Sequence, residues 1–93
     1  MNLKERLFIR EDLLSEEIDG EVVVLDLAGD KYFSLNQVGV VIWQALENGG
    51  ATLEEILARM LEEFEVDEEI AREDAILFLH SLREANLLRT GLK

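Results

Sequence analysis

The chain has no cysteine, a single histidine and no apolar run approaching a membrane span. Without cysteine, disulfides, thiolate catalysis and cysteine-ligated metals are excluded. A bilayer-crossing helix needs roughly 20 apolar residues, and no signal-peptide core follows Met1-Asn2-Leu3-Lys4-Glu5-Arg6. A cytoplasmic protein is expected. Positive charge is also scarce: nine Lys and Arg against 21 Asp and Glu give a net charge of −12. That balance repels nucleic-acid phosphates and anionic membranes and favours a basic partner, although acidic surfaces also simply confer solubility. Catalytic constellations are missing as well. No hydroxyl or thiol has a partner with which to complete a triad, and His80 reads as a surface residue of the last helix. The carboxylates from Glu62 to Asp74 lack the spaced oxygen ligands and central glycine of a calcium loop. They read as a solvated face. Gly29 and Gly39 form no phosphate-binding pattern. Neither an enzyme, nor a cofactor, nor a metal site is expected.

What is present is a foldable domain. With 93 residues and 48% hydrophobic content, the chain can bury one modest core and is too apolar for disorder. Residues 1–11 show no clean period and read as a flexible arm, 12–89 as the domain and 90–93 as a polar tail. Leu13 to Ile18 reads as an edge strand weakened by Glu16-Glu17, and Asp19-Gly20 suits a tight hairpin. Val22 to Leu27 is the strongest strand, apolar on both faces at its start and therefore central. Ala28-Gly29-Asp30 turns the chain into Lys31-Tyr32-Phe33-Ser34-Leu35, completing a three-stranded meander over 13–35. Helices are expected near 37–48, 53–65 and 68–86. Asn36 is placed to cap the first, Thr52 with Glu55 forms a capping box for the second, and Asp67 caps the third. The apolar stripes are Val38, Val41, Ile42, Ala45 and Leu46, then Leu53, Ile56, Leu57, Met60, Leu61 and Phe64. The third is Ala71, Ala75, Phe78, Leu79, Leu82 and Ala85. Leu87-Leu88 fold the end back onto the core.

The point of functional interest is the last strand, which runs into the first helix almost without a loop and has no further strand to pair with. Tyr32 and Ser34 point to one face; Lys31, Phe33 and Leu35 point to the other. Ile70 and Leu77 lie beside the core stripe of the third helix. If the strand edge runs along that helix, these residues line a shallow apolar groove beside free backbone groups, which is what an added peptide strand requires. The alternative is that they complete an ordinary core.

Several motifs carry a resemblance. Asp19-Gly20, Val22-Val23-Val24-Leu25-Asp26, Gly29, Tyr32-Phe33-Ser34-Leu35-Asn36-Gln37-Val38-Gly39 and Ile42-Trp43 resemble the PqqD family. So do Thr52-Leu53-Glu54-Glu55-Ile56, Asp74, Phe78, Leu79, Leu82 and Leu87-Leu88, extending the likeness from Leu13 to Leu88. Asn86 stands where the family often has glycine, a modest departure because Asn also tolerates left-handed backbone. The resemblance implies an α+β, winged-helix-like fold: a three-stranded antiparallel meander followed by three helices. It implies a stand-alone adaptor that binds the leader of a ribosomally made precursor between the last strand and last helix. A leader protease or radical-SAM enzyme would then act on the core, as in lasso-peptide or pyrroloquinoline quinone (PQQ) pathways. The implied leader site comprises Lys31, Tyr32, Phe33, Ser34, Leu35, Ile70, Asp74, Leu77, Phe78 and Ser81. Asp74 is either a helix-surface charge or the partner of a basic leader residue, and Trp43 reads as a half-buried buttress of the first helix.

Two other functions compete. A winged-helix DNA-binding regulator shares the architecture, but Arg72, Arg83 and Arg89 are outnumbered by nearby acids. A structural subunit without peptide specificity is the other. A monomer or weak dimer is expected, since a free strand edge can pair with its own copy.

Overall fold

A computed structural model of the chain describes residues 4–19 and 21–90. The order of elements is β1 (Leu7–Ile9), β2 (Leu13–Ile18), β3 (Glu21–Asp26), β4 (Lys31–Leu35), α1 (Gln37–Glu47), α2 (Leu53–Glu63), α3 (Glu68–Glu84) and β5 (Leu88–Thr90). β2, β3 and β4 form the expected antiparallel meander with β3 in the centre. The first hairpin closes on the pair Ile18↔Glu21, and Asp19 takes the positive φ (54°) that its short polar side chain tolerates. Gly20 lies outside the described residues. The second hairpin begins one residue earlier than the strand pattern suggested, because Asp26 is its anchor. The Asp26 carboxylate accepts from the amides of Ala28 (3.2 Å) and Gly29 (3.1 Å), leaving Leu27 exposed in the turn.

The three helices pack in sequence, α1 on α2 and α2 on α3, while β4 packs on the start of α1. The core they enclose includes Val24 and Leu35 of the sheet, Ile42 and Leu46 of α1, Ile56 and Met60 of α2, and Ala75 and Leu79 of α3. α2 carries the full capping box: Thr52 Oγ1 accepts from the Glu55 amide, and Glu55 Oε1 accepts from the Thr52 amide, each at 3.2 Å. Two other readings change. Leu61 is 40% exposed, because it lies at the edge of the arc defined by Leu53, Leu57 and Met60. Asp67 occupies the N-cap position of α3, but its side chain makes no capping hydrogen bond.

The expected frayed arm is corrected for Leu7–Ile9. These residues form β1 and pair antiparallel with β5 in a second sheet, Phe8 opposite Arg89. On its other side Leu7 exchanges two backbone hydrogen bonds with Ala51, at 2.8 and 2.9 Å, and its side chain is fully buried. Arg10 ties this sheet to the meander through a 2.8 Å ion pair with Asp26 and donates to the carbonyl of Asn86. The expected fold-back of the chain end is present: Leu87 is buried, and Asn86 takes φ 64° just beyond α3. Trp43 is not half-buried. It is 2% exposed at the centre of α1, and its indole Nε1 has no hydrogen-bond partner among the described residues.

Candidate functional site

β4 spends one edge on β3, with Val24↔Phe33 and Val23↔Ser34 at the middle of the register. Its other edge has no strand partner among the described residues. Such an edge presents a row of free N–H and C=O groups. Leu35 is buried and Phe33 half-buried on the core face, whereas Tyr32 (71% exposed) and Ser34 face solvent. Lys31, although on the core-facing parity, sits at the strand end and is exposed.

From β4 the chain enters α1 through one residue. Asn36 is extended (φ −79°, ψ −178°), and its Oδ1 accepts from the Gly39 amide at 2.8 Å. Gly39 is buried under the ring of Phe78: a Cβ there would lie 3.0 Å from Phe78 Cε1 and 3.3 Å from Asn36 Oδ1. The absent side chain lets the Phe78 ring of α3 lie against the first turn of α1.

Around that contact Asn36, Val38, Asp74, Leu77, Phe78 and Ser81 enclose an open hollow of about 360 Å³. On α3, Ile70, Asp74, Leu77 and Ser81 follow at intervals of four, three and four residues, which places them in one stripe. The whole stripe is exposed, and Leu77 keeps 67% of its surface in solvent. β4 and α3 are not among the closely packed element pairs. Strand edge and helix stripe are thus left open, on either side of the Asn36–Gly39 corner.

Of the residues singled out in the sequence, the structure brings Asp74, Leu77, Phe78 and Ser81 around this hollow. Ile70 lies further along the same stripe. Ser34 and Leu35 line a larger groove beyond the strand's end, and Lys31, Tyr32 and Phe33 contribute the strand itself. Asn36 and Val38 also line the hollow and were not singled out as candidates. Their roles as cap and apolar stripe were legible, but only the fold shows that the hollow opens beside that cap. Arg72 of α3 is taken up by Glu54 of α2 (3.0 Å) and Glu68 (3.2 Å), which together raise its pKa. Among the described residues Asp74 is the only charged one lining the hollow. Among the described residues no group of three or more His, Asp or Glu side chains is placed to hold a metal ion.

The pattern of the family described as coenzyme PQQ synthesis protein D (PqqD) matches residues 21–88. The chain belongs to the PqqD family. Among solved structures it is similar to TbiB1 in complex with the TbiA(beta) leader peptide. That likeness has a TM-score of 0.81 and 37% sequence identity, over 92% of this chain and 98% of that one. A lasso peptide synthetase B1 complexed with a leader peptide shares the fold, with a TM-score of 0.79 and 24% identity over 90% and 98% of the two chains. No curated protein matches the chain. The PqqD-type fold is the α+β, winged-helix-like architecture that the sequence implied; the β1–β5 sheet of this chain was not part of that expectation. No helix of the described residues is long and apolar enough to cross a membrane.

Proposed function

We propose that this PqqD-family protein is a non-catalytic adaptor in the biosynthesis of a ribosomally made, modified peptide. It binds the leader of the precursor as an added antiparallel strand on β4, flanked by the α3 stripe. It holds the core segment for a separate modifying enzyme, a leader protease or a radical-SAM enzyme. The observation that carries the reading is the likeness, over nearly the whole chain, to a protein solved with a leader peptide. The open β4 edge supports it, because a strand's free backbone groups are satisfied best by another strand. Leu77 and Phe78 would receive apolar leader side chains, and Asp74 a basic one. Tethering the leader raises the effective concentration of the core at the enzyme's active site. The DNA-binding alternative is disfavoured by α3 itself. That helix carries Glu68, Glu69, Glu73, Asp74 and Glu84 against Arg72 and Arg83, so phosphates would meet a repulsive surface.

The test is a titration of labelled TbiA(beta) leader peptide into wild type and three variants, with circular dichroism as a folding control. Successive amides of a strand point to opposite edges, so of Phe33→Pro and Ser34→Pro one breaks the bond to β3 and the other blocks the free edge. One of the pair should stay folded yet lose binding. Leu77→Asp should fold normally and bind at least tenfold more weakly, since it sets a charge against an apolar contact. Wild-type affinity is expected between sub-micromolar and micromolar, roughly −8 to −10 kcal/mol. Wild-type binding by every folded variant would remove the site from this edge.

A further inference from the structure

A concavity larger than the hollow beside α3 lies at the far end of the meander, a groove of about 1120 Å³ where β4 passes into α1 and the last turn of α2 comes close. Its floor is apolar, built from Leu35, Val40 and Phe64 among others, and its charged lining residues are Glu17, Glu21 and Glu63. Among the described residues no lysine or arginine lines it. Asn36 lines both this groove and the α3 hollow, so the two are neighbours at the end of β4.

Direction makes that junction informative. β4 runs from Lys31 to Leu35, so an antiparallel strand added to its free edge runs from the Leu35 end towards the Lys31 end. The residues that precede the added strand therefore arrive at Leu35 and Asn36, at the mouth of the groove. The residues that follow it leave at the opposite end, by the Leu27–Asp30 turn. We infer that the groove seats the segment upstream of the added strand and selects a basic side chain there, an apolar neighbour resting on the floor. The inference rests on the strand-addition reading and extends the recognised peptide beyond the α3 stripe. Charge complementarity selects the occupant: three carboxylates without a local cation favour lysine or arginine and repel an acidic segment.

The experiment uses the TbiA(beta) leader, cut from its N-terminus to the shortest version that still binds the full chain. That peptide is compared with versions extended upstream by Lys-Val-Lys or Glu-Val-Glu. Each is titrated at low salt into wild type and into the Glu17→Gln, Glu21→Gln, Glu63→Gln triple variant, whose replaced side chains are all exposed. The lysine extension should tighten wild-type binding about three- to tenfold, and the glutamate extension should weaken it. In the triple variant both differences should vanish, while the short peptide binds as it does to wild type. An extension without effect, or an effect that survives in the triple variant, overturns the inference and leaves the strand reading standing. If no version binds, the strand reading fails and this inference fails with it.

Discussion

Gly49 and Gly50 end α1 with almost the same backbone, φ 86° and 84°, but in different surroundings. A Cβ on Gly49 would meet nothing within 4 Å, whereas one on Gly50 would lie 2.6 Å from the Phe8 ring and 2.8 Å from the Leu7 carbonyl oxygen. Gly49→Ala should therefore cost only the left-handed backbone penalty, about 1–2 kcal/mol. Gly50→Ala adds a collision with β1, for a total of roughly 2–4 kcal/mol. Urea denaturation of the two variants separates the terms. Asp26 provides a second residue-scale prediction. Its carboxyl is held below its ordinary pKa first by the hydrogen bond from Arg10 and then by the Gly29 amide. The ionised form thus favours the fold. Its contribution is complete above the unfolded-state pKa, about 4, and is lost as pH falls through the lower folded value. Arg10→Ala should be less stable at neutral pH and lose less than wild type on acidification below about pH 4. Denaturation midpoints at pH 7 and pH 3 check this, and parallel losses in the two proteins would refute it.

At the scale of elements, strong periods were readable and short pairings were not. α2 shows the readable case: a capping box at one end and Leu53, Ile56, Leu57 and Met60 turned inward. Leu57 is 2% exposed, so Leu57→Ala should cost about 2–5 kcal/mol, and a loss below about 1 would mean the stripe is not buried. β1 shows the opposite. Three residues are too few to display a period, and what orders them lies far away in sequence, at Ala51 and at Leu88–Thr90. Leu7→Ala should consequently be as costly as Leu57→Ala, about 2–5 kcal/mol, whereas a frayed arm would lose almost nothing. The candidate site was legible to a similar degree. Ile70 and Leu77 stood out beside the core stripe of the third helix, Asp74 and Ser81 entered only through the family resemblance, and the missing fourth strand announced an edge. Which residues would line one hollow depended on Gly39 letting Phe78 close against α1. That contact is tertiary and leaves no periodic trace.

For the whole molecule, the net charge of −12 acts on any peptide that approaches, while apolar anchors act only on contact. Leader binding should weaken by less than about tenfold between low and physiological salt, because screening touches the charged contribution alone. A steeper loss, read from titrations at several salt concentrations, would shift the main affinity from the β4–α3 site to the acidic surface.

The meander has two outer strands of unlike character. β2 carries Glu16 and Glu17, and like charges set side by side discourage a second strand; β4 carries a single charge, Lys31. In the language of polymer chemistry, the sheet is a monofunctional unit. A bifunctional sheet could extend from both edges and grow into a fibre, whereas this one favours joining through β4. Two copies meeting there edge to edge would exhaust each other's reactive end, so self-association through the meander would stop at the dimer. On the proposed reading a bound leader would act as a chain terminator for the same reason that it is a ligand. Sedimentation at rising protein concentration should show monomer and dimer without a longer ladder, and added leader should return the dimer to monomer.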